Sequence, residues 1–213
     1  MTPSRLHSAH KRLVLDASVL INILGTGRSN IILQALNRIV MVDEIALREV
    51  TIDPFSGKSS AAVLSDLRQN GLIEVISMGN EAYEMFISLT GGDPPDDLDD
   101  GEAATLAQAA FGNYAAVIDE RKAIRVSGMQ FPKLELLNSL DLLTSQELLQ
   151  QNGHDAIVDL VHLALRNARM RVPASERPWI VNLLGDDRAR ECPSLGFYAT
   201  TAMEILRLGR RAG

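Results

Sequence analysis

Leu13-Val14-Leu15-Asp16-Ala17-Ser18-Val19-Leu20-Ile21 is the stretch on which the fold turns. Three apolar residues in a row suit a strand buried on both faces, as strands of parallel sheets are. An acid closes the run. Residues 17–24 then carry helical character until Gly25-Thr26-Gly27 breaks it. The same succession recurs along the chain. Residues 39–42, 73–76 and 115–118 read as strands, and residues 31–36, 60–69, 80–89 and 101–110 as helices. Strands alternating with helices at this spacing predict βαβ units and a parallel sheet, an α/β fold. A weaker strand is expected between residues 124 and 134.

Local signals set the boundaries. Ser29 is a plausible N-cap for the second helix. Asp43 can cap the next helix, which carries Ile45, Ala46 and Glu49. Pro54 and Gly57 make residues 52–58 a loop, residues 93–100 form an acidic loop, and Gly112 reads as a C-cap. From about Leu140 the pattern changes. Residues 157–168 have helical spacing, and Arg166, Arg169 and Arg171 add basic charge. Pro173, Pro178 and Pro193 punctuate a looser stretch, and residues 200–208 read as a last helix ending in Arg210-Arg211.

Composition narrows the function classes. The 213 residues are 46% hydrophobic and 23% charged, as expected of a soluble globular protein with a sizeable core. Only 4% are aromatic, too few for a base-stacking platform. A net charge of -6 and a pI near 5.2 argue against a general nucleic-acid coat protein, which would be basic. The single cysteine, Cys192, rules out an internal disulfide and a multi-cysteine zinc site, and fits a reducing cytoplasm. Residues 1–12 are polar and basic but lack a following apolar run of about 7–15 residues with a small-residue cleavage site, so a secretory signal is not expected. No stretch approaches the roughly 18 apolar residues of a membrane span.

Four acids stand where strands hand over to helices: Asp16, Glu49, Glu102 and Asp119. Ligands of open α/β sheets bind in the crevice outside the carboxyl ends of the strands. Carboxylates gathered there repel one another, and their burial is costly without compensation. A hard divalent cation resolves the conflict, because all-oxygen sites suit magnesium or manganese. Each acid also has a plainer reading. Asp16 is placed to cap the following helix, with Ser18 two residues on as a hydrogen-bond partner for it or for a water. Glu49 alone would be a solvated helix residue, and Glu44 competes with it. Glu102 stands in a first helical turn, where acids are common for stability alone. Asp99 and Asp100 are read as caps, or one of them as a further ligand, and Glu120 beside Asp119 suits metal coordination. Arg121 and Lys122 would either meet a substrate phosphate or be solvated.

Taken together, the acids and their surroundings resemble a PIN-domain nuclease. The likeness rests on Val14-Leu15-Asp16-Ala17-Ser18-Val19-Leu20-Ile21, on Val42-Asp43-Glu44-Ile45-Ala46-Leu47-Arg48-Glu49-Val50, on Leu98-Asp99-Asp100-Gly101-Glu102-Ala103, and on Val117-Ile118-Asp119-Glu120-Arg121-Lys122-Ala123. The last two motifs are similar to a branch close to the toxins of type II toxin–antitoxin pairs. The resemblance implies a Rossmann-like parallel sheet with helices on both faces. It implies an acidic pocket for one or two Mg2+ or Mn2+ ions, and metal-dependent hydrolysis of RNA phosphodiesters. By position, Asp16, Glu49, Glu102 and Asp119 match the family's catalytic and metal-holding acids, with Asp99 and Glu120 as supplements. Ser18, Arg121 and Lys122 become candidates for substrate binding. Asp43 stands where family members often have proline, which bears on how the helix starts.

The likeness covers residues 11–140, expected to form the nuclease-like domain, with residues 141–213 a mainly helical extension. That extension is expected to give structural cover and a partner contact. The alternatives are a helical surface for a cognate antitoxin or for a homodimer, or a basic face for RNA through Arg166, Arg169 and Arg171. A catalytically weak PIN-like binding or regulatory module is the competing function, and a nuclease acting on DNA is a third. Gly25-Thr26-Gly27-Arg28-Ser29-Asn30 lacks the third glycine of a dinucleotide fingerprint, and Gly57-Lys58-Ser59 lacks the first glycine of a phosphate loop. His7, His10, His154 and His162 have no metal-ligand spacing.

Overall fold

The structure is a computed structural model in which residues 4–7, 9–91 and 96–195 are described. The helix expected at residues 200–208, and Arg210-Arg211 after it, lie outside the described residues. The strands are β1 (Arg12–Leu15), β2 (Ile39–Asp43), β3 (Glu74–Ile76), β4 (Ala115–Val117) and β5 (Leu136–Leu137). The helices before β4 are α1 (Ala17–Gly25), α2 (Ser29–Leu36), α3 (Glu44–Glu49), α4 (Ala61–Gln69), α5 (Asn80–Thr90) and α6 (Asp100–Gly112). Those after it are α7 (Arg121–Gln130), α8 (Ser139–Leu143), α9 (Gln146–Asn167), α10 (Arg177–Leu184) and α11 (Asp186–Arg190).

All five strands are parallel, in the order β3-β2-β1-β4-β5. Leu13 pairs with Val40 on one side of β1 and with Ala115 on the other. The chain builds outward through β2 and β3, then crosses to the far side of β1 for β4. That reversal opens a crevice between the carboxyl ends of β1 and β4, the position at which such sheets take ligands. The Asp16 N–H donates to the Val117 carbonyl at 3.1 Å and ties the two strand ends together.

Helices cover both faces, and successive residues of β1 show why. Leu13 and Leu15 join one apolar cluster, while Val14 joins the other, as the alternation of a strand requires. The first cluster draws on α1, α2, α9 and α10, and the second on α5, α6 and α7. Ile157, Leu160, Val161, Ala164 and Leu165 of α9 belong to the same cluster as Leu15 and Leu20. Truncating a fully buried leucine or isoleucine costs about 2–5 kcal/mol, so the later third of the chain carries a real share of the stability. Helix α6 is buried almost all round, with Ala103, Ala104, Ala107 and Ala109 letting it lie close to its neighbours.

Three sequence expectations are corrected. Residues 121–130 form α7 where a weak strand was expected between 124 and 134, and the fifth strand is the two-residue β5. Ala123, Val126 and Ser127 are the buried positions, a helical spacing that the β-branched Ile124 and Val126 disguised. Ser29 is the first residue of α2 rather than its side-chain cap. Gly112 ends α6 inside the helix, and Asn113 takes the left-handed position with φ 53°. Gly112 is needed for another reason: a β-carbon there would run into the Tyr114 ring. The expected Asp43 cap is present, its Oδ1 accepting from the Ile45 N–H at 2.8 Å.

Candidate active site

Asp16, Glu49, Glu102 and Asp119 all line one hollow at the carboxyl ends of β1 and β4. Each arrives on a different element. Asp16 directly follows β1 and Asp119 lies two residues past β4, so the sheet itself fixes both. Glu49 is the last residue of α3, and Glu102 stands in the first turn of α6. Asp99, Glu120 and Ser18 line the same hollow. Glu44 does not compete with Glu49; it pairs with Arg48 at 3.4 Å on the surface.

Each carboxylate is held by named donors. Ser18 Oγ donates to Asp16 Oδ2 at 2.5 Å and the Ser18 N–H to the same oxygen at 3.2 Å. Asp16 is therefore both a helix cap and a wall of the hollow. Asp119 Oδ2 accepts from Ser139 Oγ at 2.5 Å and from Asn22 Nδ2 at 2.8 Å, while its Oδ1 accepts from the Ser139 N–H at 2.8 Å. Asn22 Nδ2 also donates to Ser139 Oγ at 3.0 Å, so α1 and α8 grip Asp119 as a unit. Glu49 accepts from the Gly101 backbone N–H at the start of α6.

Glu102 is the exception. Its Oε2 is buried with no hydrogen-bond partner. Its pKa is pushed up to about 7, first by burial and then by the charges of Asp16 and Asp99, against a smaller opposing pull from Lys122. Asp16, Asp119 and Glu49 are also raised, each chiefly by burial, and Asp16 adds repulsion to the other two. The group is thus destabilised as a set of anions. It is a hard all-oxygen donor set with one buried oxygen left bare, which suits a divalent cation. Among the described residues, no three acidic, histidine or cysteine side chains stand ready-gathered as a ligand set. Asp16, Asp119 and Glu49 are engaged by Ser18, Asn22, Ser139 and Gly101.

Other sequence candidates fall nearby. Arg121 lines an adjacent hollow that shares Asp119 and Arg171 with the first. Lys122 lies within electrostatic range of Glu102 without lining the hollow. Of the three arginines noted beyond α8, Arg169 and Arg171 line the acidic hollow. Arg166 instead meets Glu191 at 3.6 Å. Arg171 Nη1 donates to Glu120 Oε2, closing an ion pair at the rim. Arg169 sits at φ 55°, a left-handed position that ends α9. Asn22 was missed from sequence, because a polar residue inside an apolar helix shows its purpose only once Asp119 is opposite it.

Comparison with known proteins adds three findings. A family model described as a PIN domain matches residues 12–186. Among solved structures, a crystal structure of VapBC2 from Rickettsia felis bound to a DNA fragment from their promoter aligns with a TM-score of 0.42 and 17% identity. That alignment covers 60% of this chain and 98% of the other. No curated protein matches.

Proposed function

We propose, from the premise that this chain belongs to the PIN-domain family, that it is a metal-dependent nuclease that hydrolyses RNA phosphodiester bonds. One observation carries the reading: Asp16, Glu49, Glu102 and Asp119 come from four separate elements into one hollow, and a Glu102 oxygen is left bare there. Those four residues would hold Mg2+ or Mn2+, with Asp99 and Glu120 at the margin. When bound, the ion supplies Lewis acidity toward a phosphoryl oxygen and acidifies water.

The protein's own residues prepare the place. Asn22 and Ser139 lock Asp119, Ser18 locks Asp16, and Gly101 fixes Glu49, so three carboxylates have set directions before any substrate arrives. Arg169 and Arg171 line the same hollow and bring positive charge for a phosphate. The likeness of the Leu98–Ala103 and Val117–Ala123 stretches to the toxin branch supports a toxin-like role with a cognate antitoxin as partner, acting in the cytoplasm. A homodimer is the second partner proposed. Among the described residues, no single helix is long and apolar enough to cross a membrane.

Cleavage of matched RNA and DNA pools with Mg2+, Mn2+ or EDTA tests the reading, comparing wild type with Asp16→Asn and Asp119→Asn. Metal-dependent loss of RNA, absent in both variants, is the expected result. DNA cleavage instead would correct the substrate. A folded wild type that neither cuts nor binds Mn2+ would leave a binding module as the function.

A further inference from the structure

A second hollow adjoins the acidic one. Arg121, Arg171, Arg177 and Ser194 line it together with Val172 and Pro173, and Asp119 and Arg171 belong to both. The three guanidinium groups come from three places: the first residue of α7, the segment after α9, and the first residue of α10. In a chain of net charge -6, that convergence is local and not a general basicity.

Two of the three arginines have no carboxylate partner among the described residues, and the third has an exchangeable one. Arg171 meets Glu120 at the exposed rim, a kind of pair that is weak and readily exchanged. Arg177 uses Nε on the Val172 carbonyl at 3.4 Å, which aims the rest of its fork without neutralising it. Among the described residues neither Arg121 nor Arg177 has an acid within ion-pair distance. Both begin helices with no acid in the first turn, placing cations at the helix end that favours anions. The capping acids already have partners, Glu120 in Arg171 itself and Glu176 in Asn138. Ser194 Oγ is buried with no partner. Two positive helix ends, the unpaired Arg121 and Arg177, Arg171 on its rim pair and an unused hydroxyl together favour an anion, with Asp119 the one acid in the lining and already held by Asn22 and Ser139.

We propose that this second hollow binds the phosphate of the nucleotide next to the scissile bond, on an unpaired nucleic-acid strand. The inference rests on the nuclease reading of the first hollow and adds to it the path of the strand. Arg121, Arg171 and Arg177 hold the neighbouring phosphate, and Ser194 donates to it. Val172, Pro173 and Ile124 give an apolar wall suited to a sugar or base face, which a paired strand keeps covered. Arg171 leaves Glu120 for the phosphate, so the rim pair opens as the strand enters.

The test uses full-length protein carrying Asp16→Asn, which silences cleavage, and a fluorescent single-stranded RNA in EDTA over a range of salt. Arg121→Gln and Arg177→Gln are each expected to weaken binding about tenfold. Each should also flatten the log–log salt slope by about 0.7. Arg68→Gln on α4, outside both hollows, makes the same charge change and is expected to do neither. Arg177→Lys should recover part of the loss, which a merely structural role would not predict. In the cleaving protein with Mn2+, Arg177→Gln should raise KM and leave kcat nearly unchanged. Binding by both glutamine variants equal to that of Arg68→Gln overturns the proposal, whatever the cleavage assay gives. If both lose binding while wild type cuts no nucleic acid with either metal, the nuclease reading fails and the phosphate site stands.

Discussion

Glu49 lies with its carboxylate across the backbone of Gly101, so close that a β-carbon on that glycine would fall 2.9 Å from the Glu49 carboxyl carbon. An alanine there suits the helix better than glycine, by about 1 kcal/mol. It also forces Glu49 off its position. Gly101→Ala is therefore expected to keep or raise Tm while lowering cleavage sharply. Equal cleavage in the variant would show that Glu49 need not stay where Gly101 holds it.

Asn22 joins α1 to both Asp119 and Ser139. Asn22→Ala leaves buried polar atoms short of a donor, at a cost of about 1–3 kcal/mol. Cleavage should fall as well, because Asp119 loses one of its three restraints. Asn22→Asp is expected to be worse, since it sets a second carboxylate against Asp119. Urea unfolding measured beside initial rates checks both.

Between pH 4.5 and about 7 the folded, metal-free chain keeps a proton on Glu102 that the unfolded chain has already lost. Stability is linked to that difference and falls as pH rises through the window, levelling off above it. Asp16, Asp119 and Glu49 shift in the same direction and reinforce the slope. Melting temperatures in EDTA should show the decline, and Glu102→Gln should flatten it. Mn2+ competes with that proton, so its stabilising effect should grow over the same range. A pH-independent Mn2+ shift would remove Glu102 from the metal site.

Arg169 occupies a left-handed position that costs most side chains about 1–2 kcal/mol. Arg169→Gly removes the strain and the charge together. The variant should melt no lower than wild type and cut more slowly. Unchanged cleavage would reduce Arg169 to a helix terminator.

What the sequence made legible follows from how local each signal is. Asp16 and Asp119 follow apolar strands almost directly, so the same few residues announce both the strand and the acid. Glu49 and Glu102 lie on helices, where acids are ordinary, and only the order of all four motifs marked them. Asn22 carried no signal, because its partners are 97 and 117 residues away. Arg169 and Arg171 were visible as charge but not as lining. Their place depends on where α9 stops, and it stops at an arginine with no glycine to mark the turn. Residues 121–130 misled for the opposite reason, since Ile124 and Val126 favour strand locally while tertiary packing made a helix.

Leu165 shares its cluster with Leu15 and Leu20, and α9 packs on α1 and α2. That has a consequence for the order of synthesis. A nascent chain that has just emerged past Asp119 holds all four acids, yet the apolar faces of α1 and α2 still lack α9. On the nuclease reading, cutting competence is expected to wait until α9 has emerged and covered those faces. A chain stopped at residue 140 is expected to aggregate rather than to act as a small free nuclease, and pelleting of such a truncation during expression would show it.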